Sequence, residues 1–294
     1  MSTYPKSPYD LDDEEFASLV DELSVWSAPF GLKLLDTIIL REGISVLDIG
    51  CGPGFPLVEV ALRLGKTCTV YGIDPWKAAA ARARKKIEAF GLTNVHLIDG
   101  VAEELPLPDH SIDLIVSNNG INNVQDLPRV LRECARVARD GAQFVATVNL
   151  PETMTEFYGI LTDVVLESGL AELVPKIRQH IHHKRKPVGE LESLFRISEF
   201  GIRRVAHASF RFRYLDGSAM ISHPFIRYAF MESWIALLPP ERSKELLEEA
   251  ELRMNRRAHE AGEWDLTIPF IVIDASREPR AGQPQPLAAE ANHH

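Results

Sequence analysis

The stretch Val46-Leu47-Asp48-Ile49-Gly50-Cys51-Gly52-Pro53-Gly54 decides the reading of this chain. An apolar, strand-like run closes on an acidic residue and then on three alternating glycines, and a helical pattern follows from Phe55. Glycine lets the backbone turn sharply and approach a ligand closely, because no Cβ stands in the way. A strand, a Gly-rich turn and a helix N-terminus in succession make a nucleotide-type cradle. The dinucleotide fingerprint Gly-x-Gly-x-x-Gly would need glycine at position 55, where this chain has Phe55; the third glycine comes one position early. Such a loop alone is also compatible with a tight turn that binds nothing, so the surroundings decide.

Working outward, the pattern predicts strands at 44–49, 69–73, 94–98, 112–117 and 142–148, and helices at 56–64, 76–90 and 127–138. Gly43, Gly65, Gly91 and Gly141 punctuate the helix-to-strand turns. This alternation predicts an α/β fold, a parallel sheet with helices on both faces. Upstream, Leu11, Phe16, Leu19, Val20 and Leu23 have helical spacing, and a second helix is expected at 28–40. Downstream of Pro151, helices are expected at 152–168, 171–183 and 189–199, and a strand at 202–213. Two helices at 222–237 and 240–260 and a last strand at 266–274 complete the pattern. Residues 1–9 read as loose, and the Pro-, Ala- and Gly-rich tail at 277–294 as disordered. The terminal His293-His294 is given no role. The expected organisation is one domain over 1–276: N-terminal helices (1–42), a ligand-binding core (43–150), then further helices and the last strands (151–276).

Composition narrows the class. The chain has 294 residues, 45% of them hydrophobic, enough for a large core in one elaborated domain or in one domain plus an insertion. A net charge of −10 argues against a nucleic-acid partner, which calls for a basic face. No run of eighteen apolar residues marks a membrane span, and Met1–Asp13 lacks the basic start and apolar core of a secretion signal. Cys51, Cys68 and Cys134 are odd in number and lack metal-type spacing, which reads as a reduced, cytoplasmic setting with no metal site.

The acidic strand ends sharpen the ligand reading. Asp74 closes the second strand, 20 residues after Gly54, where a carboxylate can accept from both hydroxyls of a ribose. Its bland role is to cap the helix beginning near Pro75 and Trp76. Asp99 closes the third strand and is followed by Gly100-Val101. Ligands of open α/β sheets sit beyond the carboxyl ends of the strands, so Asp48, Asp74, Asp99 and Ser117 should converge on one crevice.

At this point a family resemblance becomes specific. The glycine spacing resembles that of class I S-adenosylmethionine-dependent methyltransferases. The run from Asp99 through Glu103-Glu104-Leu105-Pro106-Leu107-Pro108-Asp109 to Ile112-Asp113-Leu114-Ile115-Val116-Ser117 resembles their small-molecule, type 11 branch, which includes quinone-biosynthesis C-methyltransferases. Leu131–Gly141 resembles that family's helix and turn before the fifth strand, with Ala142 replacing a common second glycine. The resemblance covers residues 44–150. It implies a Rossmann-like, mostly parallel sheet whose last strand is antiparallel, with helical elements as a lid over the crevice. It also implies S-adenosyl-L-methionine as cofactor and S-adenosyl-L-homocysteine as product. Gly50, Cys51, Gly52 and Gly54 would line the methionine part, and Asp48 would position its amino group. Asp74 would hold the ribose. Asp99 and Gly100 would meet the adenine, with Pro75 and Val101 flanking its ring. Ser117 or Asn118 would lie near the transferable methyl.

The acceptor is less legible. Ser117-Asn118-Asn119-Gly120 replaces the Asn/Asp-Pro-Pro-Tyr of many amino-group methylases, and the three cysteines do not pattern as a thiolate set for a soft metalloid. His180, His182 and His183, followed by Lys184-Arg185-Lys186, read as a metal or phosphate site or as a solvated basic helix end, with the helix end favoured. Asn118, Asn119, Asn122 and Asn123 either orient an acceptor or cap turns. The aromatic segment His223–Trp234 is a helix packed on the sheet or the wall of an apolar pocket. His223 and Asn119 are the candidates for a catalytic role, and His207 is a further possible base. The expectation is methyl transfer to a small, apolar or aromatic acceptor. The alternatives are a macromolecular acceptor or a cofactor-binding partner without catalysis. The acceptor atom and the oligomeric state stay open.

Overall fold

The computed structural model describes residue 10, residues 12–22 and residues 24–279. Expectations placed on residues 1–9, Leu11, Leu23 and 280–294 lie outside the described residues. Seven strands form one sheet: β1 (Ser45–Ile49), β2 (Thr69–Asp74), β3 (Val95–Asp99), β4 (Ile112–Asn118), β5 (Ala138–Asn149), β6 (Phe200–Tyr214) and β7 (Trp264–Arg277). Their order is β3-β2-β1-β4-β5-β7-β6, with β1 to β5 parallel and β7 antiparallel to both neighbours. The mostly parallel Rossmann-like sheet with an antiparallel last strand is therefore as expected.

Period-two alternation sends the strand side chains to two separate cores. Val46, Leu114, Val116 and Val145 face one core, while Leu47, Ile49, Ile115 and Phe144 face the other. Helices α1 (Glu14–Glu22), α2 (Ser27–Leu35), α3 (Leu57–Leu64), α4 (Lys77–Ala89) and α5 (Leu127–Val137) come before or between the parallel strands. Helices α6 (Thr155–Glu167), α7 (Leu173–Lys184) and α8 (Val188–Ile197) fill the β5–β6 crossover. Strand order reverses direction between β1 and β4, the switch point where such sheets open a crevice.

The structure departs from the expectations in four places. The second helix stops at Leu35 rather than at 40, and Asp36 closes it by donating its backbone N–H to the Leu32 carbonyl. The last two strands are longer than expected, because their ladder runs from Phe200↔Arg277 out to Tyr214↔Trp264, past the end of β5 pairing at Asn149↔Phe270. The helix expected at 222–237 is broken. A helix at Gly217–Ser222 (α9) stops at His223, and a π turn spans Arg227–Met231. Pro224 explains the first break, since it offers no N–H to continue the preceding helix. Arg277, expected to open the tail, instead ends β7, is buried, and donates Nε to the Ala135 carbonyl at 3.0 Å.

Candidate functional site

A cavity of about 520 Å³ opens over the carboxyl ends of β1 and β4. Its floor is the glycine loop, its side wall is a set of asparagines, and its roof comes from α7 and the segment after α9.

The floor is a backbone construction. Gly50 donates its N–H to the Ile73 carbonyl at 2.9 Å and has φ +72°, where a side chain is strained. A Cβ on Gly50 would stand 2.8 Å from the Gly120 Cα, and one on Gly120 would stand 2.3 Å from the Ile49 carbonyl oxygen. The loop after β1 and the turn after β4 thus touch backbone to backbone. Ser117 ties them together: its Oγ donates to the Ile49 carbonyl at 2.9 Å and accepts from the Ile121 N–H at 3.1 Å. Asp74 fastens the other side. One carboxyl oxygen accepts the Gly52 N–H and the other the Trp76 N–H, both at 2.8 Å. Burial raises the Asp74 pKa, and those two amides pull it back down.

Asp48 lies on β1, one residue before the loop, with none of its surface exposed and neither carboxyl oxygen hydrogen-bonded. Burial, followed by the neighbouring charge of Asp74, pushes its pKa up to about 8. The Leu57 N–H offsets only part of this, so the ionised carboxyl is costly without a cation beside it.

The side wall holds Asn118, Asn119, Asn122, Asn123 and Asn149. Asn118 donates to the Ser27 carbonyl at 3.0 Å and accepts from Thr147 Oγ1 at 3.0 Å. Asn119 has φ +60°, and its side-chain oxygen accepts from Asn122 at 2.7 Å and from the Asn149 N–H at 3.2 Å. Asn122 also donates to the Asn149 side-chain oxygen. The asparagines therefore hold the turn together and line the cavity at once.

The sequence-predicted residues fall into three places. Gly50, Cys51, Gly52, Asn118 and Asn119 line the cavity, with Asp48 on the strand end that leads into it. Asp74, Pro75, Asp99, Gly100 and Val101 sit on the adjoining edge, where Asp74 and Asp99 are register partners on β2 and β3. Asp99 is exposed and lies 3.9 Å from Lys77, and Val101 is exposed beside it. Gly54 and Ser117 turn inward: Gly54 packs against Ala83 of α4, and Ser117 is fully buried.

His223 is not among the cavity-lining residues. Its Nδ1 accepts the Phe225 N–H at 3.2 Å and its ring stands edge-on to Tyr214, so its local work is to cap the turn at Pro224. Trp234 is also not a wall residue. It is fully buried, stacks on Phe157 at 3.9 Å, and donates its indole N–H to the Tyr158 hydroxyl at 3.1 Å. Tyr228, by contrast, lines the cavity and packs edge-on to Phe16 and Phe225, and burial pushes its pKa up to about 12.

The basic run at 180–186 is not simply a solvated helix end. His180, Lys184 and Arg185 line the cavity. Arg185 is only 3% exposed, and its Nε and Nη1 are buried without a hydrogen-bond partner. His182 turns away to Glu190 at 3.0 Å.

Residues that sequence reasoning missed include Gly31, Trp26 and Asn149. A Cβ on Gly31 would meet the tip of the Phe55 ring at 2.2 Å, so a larger residue there would have to push that ring aside. A glycine inside an otherwise apolar helix was the available signal. Among the described residues, no group of three or more His, Cys, Asp or Glu side chains is placed to hold a metal, and no helix is long and apolar enough to cross a membrane.

Comparison with known proteins agrees with this geometry. Residues 47–146 match the family model described as a methyltransferase domain. A demethylmenaquinone methyltransferase of Bacillus mycoides is 33% identical over 126 residues, 43% of this chain and 52% of that protein. One of Listeria monocytogenes is 38% identical over 104 residues, 35% of this chain and 44% of that protein. The chain thus spans about half the length of the curated relatives it matches. Among solved structures, the YcgJ protein of Bacillus subtilis superposes with a TM-score of 0.58 at 20% identity, covering 86% of this chain and 99% of the other, a likeness of fold. Over residues 47–146 this chain is thus similar to a methyltransferase domain, and over most of its length it shares the fold of the YcgJ protein.

Proposed function

We propose that this chain transfers the methyl group of S-adenosyl-L-methionine to a small organic acceptor with an apolar or aromatic body, releasing S-adenosyl-L-homocysteine. The observation that carries the proposal is Asp48. A fully buried carboxyl at the foot of a glycine cradle, with only the Leu57 N–H near it, lacks a cation, and the cofactor's amino group is one. The close Gly50–Gly120 approach keeps that cradle free of side chains. The residues present therefore fit the cofactor.

In this reading the Gly50–Gly52 loop holds the methionine part and Asp48 its amino group. Asp74 accepts the ribose hydroxyls with the lone pairs left after Gly52 and Trp76 have bonded; a carboxylate has about four acceptor sites, of which two are used. Asp99 and Gly100 meet the adenine edge, and Pro75 and Val101 its faces. The bound cofactor supplies an already activated methyl. What remains for the protein is to align the acceptor and keep water out. Phe55, Trp76, Phe225, Tyr228 and Phe230 give the cavity an apolar lining suited to both tasks. The relatives named demethylmenaquinone methyltransferase point toward a small acceptor too. The buried, unpaired cysteines fit a reducing, cytoplasmic setting. We read residues 1–276 as one domain, with the N-terminal helices and the helices at 151–200 and 220–260 closing over the crevice.

Calorimetry tests the cofactor. S-adenosylmethionine and S-adenosylhomocysteine should bind, and NAD should not; strong NAD binding without response to either adenosyl compound sinks the proposal. Incubation of a metabolite extract with methyl-labelled cofactor, read by mass spectrometry, then identifies the acceptor and the atom methylated.

A further inference from the structure

The cavity is electrically lopsided. Among the described residues its lining carries one carboxylate, Asp21, while its roof carries Lys184 and Arg185 at the end of α7. The chain leaves the helix at Arg185, whose backbone is extended (φ −145°, ψ 106°) while its N–H still donates to the Ile181 carbonyl. That change of direction turns the side chain inward. The guanidinium carbon lies 5.7 Å from the centre of the Tyr158 ring. Nε and Nη1 are shielded from solvent and bonded to nothing.

No carboxylate among the described residues lies within ion-pair distance of Arg185 or of Lys184, which lines the same cavity. The one acidic side chain on the cavity wall, Asp21, is already engaged by Arg82 at 2.8 Å and by Lys86. His180, the other ionisable group that α7 brings to the cavity, is held neutral at pH 7 by burial and by the charges of Arg185, Lys184 and His183, which bring its pKa down to about 4. It therefore adds no competing charge.

A buried cation with unused donors, facing a ligand cavity, is unfavourable unless something anionic completes it. A guanidinium suits planar or tetrahedral oxyanions, to which it gives several directed hydrogen bonds. We propose that Arg185, assisted by Lys184, recognises an oxyanion on the acceptor, a carboxylate or phosphate group carried by its apolar or aromatic body. Which end of the cavity the acceptor occupies rests on the methyl-transfer reading above. Arg185 is a specificity-determining residue in this scheme. The acceptor lies between an apolar wall at 225–233 and a cationic roof, with its neutral end toward the asparagines.

The test uses the full chain saturated with S-adenosylhomocysteine and three probes: phenylacetate, phenyl phosphate and neutral benzyl alcohol. Titration by calorimetry or ligand-observed NMR should show at least one anionic probe binding tenfold or more tighter than the alcohol. The tighter of the two anions distinguishes carboxylate from phosphate. Arg185→Gln and Arg185→Met should lose that preference, Arg185→Lys should keep part of it, and Lys184→Met should lose less. Affinity for S-adenosylhomocysteine should stay within twofold in all four. Without ligand, Arg185→Met should melt no lower than wild type, since it removes an uncompensated charge. Equal binding of the three probes overturns the proposal, as does a wild-type preference in Arg185→Gln. Loss of S-adenosylhomocysteine binding by folded Arg185 variants would assign the guanidinium to the cofactor's own carboxylate instead. A lower melting temperature in both Arg185→Met and Arg185→Lys, with the anion preference unchanged, would leave it a packing residue. Failure of wild type to bind S-adenosylhomocysteine would instead strike the methyl-transfer reading.

Discussion

The floor and the roof of the cavity are built by different means. The floor is local: Asp48, Gly50 and Gly52 lie within five residues, and the amides they offer come from one turn. The roof is assembled from distant pieces, Trp26 of the N-terminal helices, Arg185 past α7 and Tyr228 of the π turn, brought together only by the completed fold. A floor made of backbone can accept one kind of ligand and little else. A roof made of side chains on helix ends can be changed residue by residue without disturbing the sheet. On the proposed reading, cofactor identity belongs to the floor and acceptor identity to the roof, and each can be perturbed alone.

The sharpest test of that division lies within the roof segment itself, at Trp234 and Tyr228. Trp234 is fully buried between Phe157 and Phe230 and bonded to Tyr158. Trp234→Ala should cost about 3–5 kcal/mol of stability, the usual range for emptying a core aromatic site. Tyr228→Ala, at a half-buried cavity position, should cost about 1–2 kcal/mol and chiefly weaken acceptor binding. Urea unfolding alongside acceptor titration separates the two. Equal stability losses would erase the distinction between core and wall.

Asp48 gives the next effect, one of pH. In the unfolded chain its carboxyl titrates near 3.8, and in the fold near 8. Between those values the folded state holds a proton that the unfolded state has lost. Stability without ligand therefore falls as pH rises through that window, by at most about 1.4 kcal/mol per pH unit. Asp74, raised by the same burial, acts in the same direction. Asp48→Asn should flatten the dependence without abolishing it. It should also remove the proton release that accompanies cofactor binding at pH 6–7. Urea midpoints at pH 5 and 7.5, with calorimetry in two buffers of different ionisation enthalpy, read both. An equally steep wild type and Asp48→Asn would mean that the carboxyl is not the buried acid of the fold.

The same contrast explains what could be read in advance. The parallel strands were legible because each is a short apolar run bounded by glycine or an acidic end, and the strand-end aspartates follow from chain order. Trp234 and Tyr228 were not separable, because aromatic residues six positions apart look alike until a π turn shifts one face against the other. Arg185 was hidden for a related reason. A basic run after a helix is normally solvated, and only the extended backbone at 185 turns this one inward. Gly120 had no signal without its partner: the backbone that it touches, Ile49–Gly50, lies 70 residues away.

On the floor, Asp74 comes next in size. Its two oxygens already fasten Gly52 and Trp76, so Asp74→Ala should disturb the cradle as well as remove the ribose acceptor. Cofactor binding should weaken by about 1.5–3 kcal/mol, roughly ten- to a hundredfold, in a chain that stays folded. Asp74→Asn keeps one acceptor oxygen and should fall between alanine and wild type. Unchanged affinity in the alanine variant would reduce Asp74 to a capping residue.

Asp99 marks the far edge of the floor and should give the smallest effect. Its side chain is 65% exposed, and its one ion-pair partner, Lys77, is 3.9 Å away and 81% exposed. Water competes for every bond it makes, so Asp99→Ala should weaken cofactor binding only about two- to fivefold and leave stability within about 0.5 kcal/mol. That loss should be specific to the base. An analogue lacking the adenine amino group should bind wild type and Asp99→Ala equally, because the contact removed by the mutation is then already missing. Acceptor-probe affinity should not move at all, since Asp99 lies on β3, outside the cavity walls. An Asp99 variant that altered acceptor binding while sparing the cofactor would break the division between floor and roof.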